Sequence, residues 1–512
     1  MDLRGLIDSL NEKNFPIPFS GHFVDGKWQE LQQENVIKQA VSPSSGATLY
    51  DIRLNKGVIH QAIEAASVKF EKHNPTPMHI RFEILKRLRQ GLTDFQDALI
   101  KAMVIEGGKP IWEAQNEIIG TLNYLDRVAS LEEVDTSSLL GPVELGVVPR
   151  EVSLEPIGIT CAWLPFSSPC LNFAYTFAAS VVADSPLVLF VSGNAGICGS
   201  IFASIYENLK IEPNLMQVVI SDFVHFHSAL SDSRIKGIIY TGSREHCELI
   251  RRERAGVKGR QLILQSGGKN SVYIDDSADI EQSVRATLLG SVKSAGQLCS
   301  STSRVFLPKD SMVDWVDCYV QMAKKIEIGP TDGDNSDVVM GPLYSNKAVE
   351  KFLRFQTMAK RESKSSPLWG KRLETGVNGF FVTPGLHILD QFDSTSAYQA
   401  NVLMCPDVAV YVYESQHEAI HCMNATDAQL VVSLFGEESK VAGLCHSLSA
   451  PNVLINSPTI DIELHPGIAG KNQCGHHRLS GVGLAFLLSY PKAIVTASID
   501  GKGLIAWPFS RN

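Results

Sequence analysis

Cys299 closes the run Ser294-Ala295-Gly296-Gln297-Leu298-Cys299, a thiol preceded by three small residues. Small residues let a backbone approach a substrate closely. A thiol becomes a nucleophile where a helix N-terminus or nearby donors lower its pKa. Gln265 stands 34 residues earlier, after the apolar run Leu262-Ile263-Leu264 and before Ser266-Gly267-Gly268-Lys269. An amide at a strand end lies where open α/β sheets bind ligands. A further 23 residues upstream is Gly242, and Tyr240-Thr241-Gly242-Ser243 opens the segment holding Glu245. Glycine plus a hydroxyl at a helix N-terminus suits a pyrophosphate. Each feature alone has an ordinary structural reading: one cysteine among ten, a strand-to-loop turn, a helix cap.

These residues need a scaffold, and the apolar pattern supplies one. Lys56 to about Ala129 reads as helical, with Val58, Ala62, Ala65 and Val68, then Ile84, Leu85, Leu88 and Leu92, at helical spacing. From Glu155 the pattern alternates. Apolar strands at Ile157–Trp163, Leu187–Val191, Gln217–Ile220, Gly237–Tyr240 and Leu262–Leu264 are separated by helices at Leu171–Val182, Ile197–Leu209 and Glu245–Arg254, with a short link after Ile220. Such alternation predicts a doubly wound parallel sheet. A second α/β set follows: strands Ser271–Ile274, Arg304–Leu307, Val408–Val412 and Asn452–Ile455, with helices Ile280–Val292, Ser311–Lys324 and Lys347–Ala359. Thr136–Arg150 predicts an extended hairpin outside both sheets, and Ala493–Ala497 one more strand. No internal repeat is visible.

Composition narrows the function classes. A chain of 512 residues, 44% hydrophobic and 20% charged, reads as globular with two or three domains. A net charge of −9 argues against a nucleic-acid binder, and Arg251-Arg252-Glu253-Arg254 reads as a solvated helix face. Ten cysteines without a CxxC pair argue against a disulfide framework or structural zinc and fit a cytoplasmic location. His225-x-His227 and His476-His477 lack the partners a metal site needs, and Gly481-Val482-Gly483 lacks the third glycine of a dinucleotide fingerprint. No apolar window reaches membrane-span length, and the N-terminus has no signal-peptide core.

Taken together, in this order and spacing, Gly242, Gln265 and Cys299 resemble the active-site signature of the aldehyde dehydrogenase superfamily. The likeness covers nearly the whole chain. Gly21–Trp28 resembles the family's first strand pair, Ser42-Pro43-Ser44-Ser45-Gly46 its Asn-Pro-x-x-Gly turn, and Glu106-Gly107-Gly108-Lys109-Pro110 its helix-end motif. Glu155-Pro156-Ile157-Gly158 is similar to the opening of its nucleotide-binding half, and Gly379–Pro384 to its substrate-side strand. Lys109–Glu113, Ser294–Gln297, Thr383-Pro384-Gly385 and Gly475–Arg478 are similar to the succinylglutamate-semialdehyde dehydrogenase branch.

The resemblance implies two doubly wound α/β domains plus a small β oligomerisation flap. Residues 1–135 and 153–265 would form the dinucleotide-binding domain, 266–470 the catalytic domain, and 136–152 with 490–512 the hairpin and tail of a homodimer or homotetramer. It implies NAD(P)-dependent oxidation of a small aldehyde through a Cys299 thioester, with Gln265 and Ser167 at the positions of water-activating base and oxyanion asparagine. Pro165, Phe166, Ser192, Gly242, Ser243 and Gly267 would line the NAD or NADP site.

The chain departs from that pattern. Gln265 replaces a glutamate, and a neutral amide is no general base. Ser167 replaces the asparagine that stabilises the oxyanion. The adenosine-ribose Lys-Pro-Ser-Glu becomes Phe190-Val191-Ser192-Gly193. The Glu-x-Phe-Gly-Pro motif becomes Val402-Leu403-Met404-Cys405-Pro406, and the last glycine of Gly-Ser-x-x-x-Gly becomes Cys247. Three readings follow: a dehydrogenase of impaired activity, a catalytically inactive homologue with a binding or structural role, and a thiol enzyme that transfers acyl groups without a hydrolytic base.

Overall fold

In the computed structural model the described residues are 3–17, 21–30, 35–72, 75–133, 150–212, 214–254, 256–333, 337–464, 470–475 and 482–495. Helix α1 (Leu3–Asn11) precedes the strand pair β1 (Phe23–Val24) and β2 (Lys27–Trp28) and the hairpin β3 (Val36–Val41) and β4 (Thr48–Arg53). The long helical stretch resolves into α2 (Lys56–Glu71), α3 (Met78–Asp94), α4 (Gln96–Gly107) and α5 (Ile111–Ala129). Gly108 ends α4 in the left-handed region at φ 68°, and Pro110 precedes α5. The alternating region gives β5 (Arg150–Pro156), β6 (Ile159–Leu164), α6 (Pro169–Ala183), β7 (Leu187–Ser192), α7 (Gly196–Asn208), β8 (Met216–Ser221), α8 (Phe223–Ala229), β9 (Ile235–Gly242), α9 (Arg244–Arg254) and β10 (Gln261–Ser266).

Its strands order as β10-β9-β6-β7-β8-β1-β2, parallel from β10 to β8, with antiparallel pairing at β8/β1 and β1/β2. The chain runs outward from β6 through β7 to β8, then returns to the other side of β6 as β9. The topological switch therefore lies between β6 and β9, where open sheets bind ligands beyond their carboxyl ends.

The second half gives β11 (Asn270–Ile274), α10 (Ile280–Val292), β12 (Thr302–Pro308), α11 (Met312–Ala323), α12 (Asn346–Glu362), β13 (Ser365–Leu368), β14 (Gly385–Leu389), α13 (Ala397–Ala400), β15 (Asp407–Tyr413), α14 (Gln416–Asn424), β16 (Val431–Phe435), α15 (Glu438–Val441) and β17 (Asn452–Ile455). The sheet order is β13-β14-β15-β12-β11-β16-β17, parallel except for β13. Last come α16 (Val482–Leu487) and β18 (Ser489–Val495). β18 pairs antiparallel with β5 in a ribbon of its own. The tail strand thus starts four residues before the sequence expectation, and the expected hairpin lies outside the described residues up to Arg150.

Several elements differ from the sequence reading. Gly379–Pro384 forms no strand; Val382 makes one bridge to Arg372, and the strand begins at Gly385, after the proline. The short link after β8 holds helix α8, capped by Asp222 on the His225 N–H. β14 and β16 are fully buried strands that the sequence reading passed over. Both faces of the first sheet are covered. α6 and α7 pack one side, with Phe173 and Phe202 stacked at 4.1 Å. Leu484, Ala485 and Leu488 from the far end of the chain join that same core. Val58 and Ile63 of α2, Phe226 of α8 and Ile250 of α9 pack the other.

His22 ties the edge of this sheet together. It is fully buried, one ring nitrogen 2.6 Å from the Arg53 carbonyl and the other accepting the Ile220 N–H at 3.1 Å. Burial lowers its pKa from 6.5 to about 4, against a smaller raising effect of the Arg53 carbonyl. Between those values the folded chain binds fewer protons at this site than the unfolded chain. Stability therefore rises with pH across the window and is lost as pH falls through it, by roughly 3 kcal/mol in full. Urea unfolding at pH 7.5 and pH 4.5 should show a loss about 2 kcal/mol larger than in His22→Gln. The same pH dependence in both proteins would contradict this assignment.

Candidate active site

Strand β10 carries Gln265 to the carboxyl end of the first sheet, and Gly267-Gly268-Lys269 leads directly into β11 of the second. Cys299 comes from the loop between α10 and β12. The Gln265 Nε2 lies 3.6 Å from the Cys299 Sγ, and Gln265 Oε1 is buried without a hydrogen-bond partner. The Cys299 carbonyl accepts from the Gly268 N–H at 3.0 Å and Asn270 Nδ2 at 2.9 Å. Asn270 is fully buried and its Oδ1 accepts the Val431 N–H at 3.0 Å, so the cysteine backbone is pinned to the central strands of the second sheet.

The loop before the thiol is strained. Ser294 and Ala295 have φ of 50° and 51°, and Gly296 has φ 71°. A left-handed non-glycine residue costs roughly 1–2 kcal/mol. A side chain at Gly296 would also meet the Cys405 carbonyl, since a Cβ there would lie 2.3 Å from it. Glu113 of α5 holds the strained turn, accepting the Ser294 N–H at 2.8 Å and the Ser294 hydroxyl. Lys109 pairs with Glu113 at 3.3 Å and Glu117 at 2.5 Å. Glu117 in turn accepts the Cys170 N–H at 2.8 Å at the start of α6. One buried array therefore sets both the Cys299 loop and the Pro165–Pro169 loop facing it.

A cavity of about 50 Å³ lies between these loops, lined among others by Pro165, Ser167, Gly242, Gln265, Gly267 and Cys299. Those are the residues singled out in sequence that the structure gathers. Phe166 does not line it; its ring packs on Tyr344 at 5.0 Å. Ser192, at the end of β7, and Ser243 also stand outside the lining. Asn172 and Tyr175 line it and were not foreseen, while Thr241 and Met404 come from runs already quoted for the cofactor side. Asn172 sits five residues beyond Ser167, but its Nδ2 donates to the Ser168 carbonyl at 2.8 Å rather than into the cavity. The two-histidine motif is also accounted for. His225 pairs with Asp222 and His227 with Glu253, and no metal-binding cluster exists among the described residues.

With this geometry in hand, known proteins decide the kinship. Residues 28–491 match the family described as aldehyde dehydrogenase family. The chain belongs to the aldehyde dehydrogenase family. It is 25% identical over 434 residues to the chloroplastic betaine aldehyde dehydrogenase of Beta vulgaris, covering 83% of this chain and 86% of that one. It is 23% identical to the α-ketoglutaric semialdehyde dehydrogenase of Bacillus subtilis, covering 89% and 93%. Among solved structures, the fold is similar to betaine aldehyde dehydrogenase from Staphylococcus aureus in complex with NAD+, with a TM-score of 0.85, 21% identity and coverage of 99% and 100%. It is also similar to a Mycobacterium tuberculosis aldehyde dehydrogenase complexed with NAD+, with a TM-score of 0.83, 18% identity and coverage of 93% and 98%.

In this aldehyde dehydrogenase the positions where the family resemblance implies a grip on a dinucleotide hold other side chains. Phe190, at the ribose-lysine position, is fully buried against Phe226, ring centroids 5.3 Å apart. At Gly193, the position of the ribose acid, a Cβ would lie 2.1 Å from the Ile52 side chain. Val402 and Met404 cover Gly267, where a Cβ would lie 3.3 Å and 3.0 Å from them. At the switch between β6 and β9, the Tyr240 hydroxyl lies 2.8 Å from His246 Nδ1 and over Gly242, where a Cβ would be 2.4 Å from it. As the side chains stand, these residues do not fit a bound dinucleotide.

Proposed function

We propose that this aldehyde dehydrogenase is an oxidoreductase of impaired turnover that takes a small aldehyde onto Cys299. The family's onward reaction, oxidation against NAD or NADP to a Cys299 thioester and hydrolysis to the acid, is the part its substitutions weaken. The observation that supports the reading is the close approach of Gln265 to Cys299 in an enclosed cavity. In the first step the sulfur bonds to the carbonyl carbon and the thiol proton passes to the oxygen, giving a thiohemiacetal without any redox change. Ser167 faces the same cavity as a short hydroxyl donor to that oxygen. Gln265 can orient a water there but cannot take its proton.

The aldehydes named for the relatives differ in their head groups, so the proposal is confined to the carbonyl they share. The same reading carries the division into 1–135 with 153–265 and 266–470, assembly as a homodimer or homotetramer through 136–152 and 490–512, and a cytoplasmic location. None of the described helices is long and apolar enough to cross a membrane. The alternative, an inactive homologue with a binding or structural role, draws on the loss of the ribose-gripping side chains at Phe190 and Gly193.

Alkylation without any nucleotide tests the capture step. Iodoacetamide at neutral pH should label Cys299 ahead of the other cysteines, and propanal should slow that labelling several-fold, as peptide mass spectrometry would report. Labelling of Cys299 that propanal leaves unchanged would remove the reading.

A further inference from the structure

The crevice that a dinucleotide would enter is filled by the chain itself. The strand order puts the topological switch at β6/β9, and Gly242-Ser243 of that site begins α9. An anion lying there would take backbone N–H groups from the first turn of the helix. Here the Tyr240 hydroxyl lies over Gly242, at the entry to that turn. It lies 2.8 Å from His246 Nδ1 and so close over Gly242 that a Cβ there would be 2.4 Å from it. Its ring is anchored beneath, stacked on Trp163 at 6.2 Å and Phe226 at 5.9 Å, and is 2% exposed.

The gap between α8 and α9 is closed by the next ring in line. His246, held by Tyr240, lies flat on Phe223 with centroids 3.4 Å apart and planes 3° from parallel. Phe223 in turn meets Tyr240 edge-on at 5.6 Å and stacks on His227 at 5.6 Å. A planar base placed between His246 and Phe223 would need about twice the ~3.5 Å carbon contact distance, which is twice what exists. These are bulky rings at a place where the family resemblance expects a dinucleotide, and they satisfy one another's polar atoms.

We propose that Tyr240, His246 and Phe223 form an internal plug that competes with a dinucleotide for the crevice at β6/β9. The inference rests on the family reading of that crevice but not on aldehyde capture at Cys299, which is measured without nucleotide. A ligand entering here must move the Tyr240 hydroxyl off Gly242 and separate the His246–Phe223 stack before it gains any contact of its own. Free energy spent on opening appears directly as lost affinity.

Calorimetric titration of the full chain with NAD+ and NADP+ tests the plug. The wild type should show no saturation below about 1 mM. Tyr240→Phe/His246→Ala removes the hydroxyl and one stacking ring while keeping the buried Tyr240-position ring, and should bind at least about tenfold more tightly. Micromolar binding by the wild type would overturn the proposal. So would a double variant of unchanged melting temperature that binds no better than wild type, because the substitutions at Phe190 and Gly193 would then be the whole obstacle. If the double variant lacks a melting transition, Tyr240→Phe alone carries the same two outcomes. Unchanged protection of Cys299 by propanal in each variant would show that the thiol site is independent of the plug.

Discussion

Gln265→Glu should shorten the lifetime of an acylated Cys299 by about 10²–10⁴-fold. The comparison needs no cofactor. Cys299 can be acetylated with an activated thioester and the decay of the adduct followed by mass spectrometry at neutral pH. In the wild type the amide 3.6 Å from the sulfur offers a hydrogen bond but no proton acceptor, so the thioester persists. The site is 1% exposed, and a carboxyl placed there would be pushed upward in pKa by burial. A carboxyl titrating nearer neutrality suits a general base, since it is ionised at working pH yet still basic enough to accept a proton from water. Equal decay in both proteins would mean that water does not reach the thioester from the Gln265 side.

Glu113→Ala should cost about 1–3 kcal/mol of stability, because it leaves the Ser294 N–H and hydroxyl without their acceptor while Lys109 keeps Glu117. Glu113 is fully buried and pairs with Lys109, itself 4% exposed. The same carboxylate holds the Ser294 N–H and hydroxyl at the left-handed turn. Without it, the turn keeps only the bonds from the Gln297 N–H and Nε2 to the Ser294 carbonyl, and the loop loosens beside Gln265. Denaturant unfolding should therefore show the loss, and Cys299 alkylation should no longer be slowed by propanal. Glu113→Gln keeps an acceptor for Ser294 and should recover part of both. An unchanged unfolding midpoint in Glu113→Ala would show that the Ser294 turn does not depend on Glu113.

The residues that make this array important were visible in the sequence, yet their role was not. Lys109 and Glu113 carried a family likeness, but nothing in a linear pattern says that one helix reaches both a cysteine loop and the start of α6. The parallel sheets were legible because buried strands such as Leu187–Ser192 are uninterrupted apolar runs. β14 and β16 escaped because each is only five residues long, and a short apolar run does not by itself distinguish a buried strand from a buried helix. The Cys299–Gln265 juxtaposition followed from spacing and likeness. Tyr240 was read as the end of a strand and the start of the run that opens α9, since a tyrosine in β9 gives no sign that its hydroxyl will lie over Gly242. Side-chain direction at a strand end depends on tertiary packing, here the stack on Trp163 and Phe226.

The last helix has a consequence for how the molecule is made. α16 packs on α6, and the Ile157 N–H donates to the Leu488 carbonyl at 3.0 Å. The strands of the first sheet have all been translated by Ser266, but its helical core also needs Leu484, Ala485 and Leu488. A nascent chain therefore emerges from the ribosome with an apolar flank of α6 uncovered for more than two hundred residues of synthesis. Translation at 5–20 residues per second makes that interval roughly ten to forty seconds. Through that time the growing chain is a natural client for anything that shields bare hydrophobic surface.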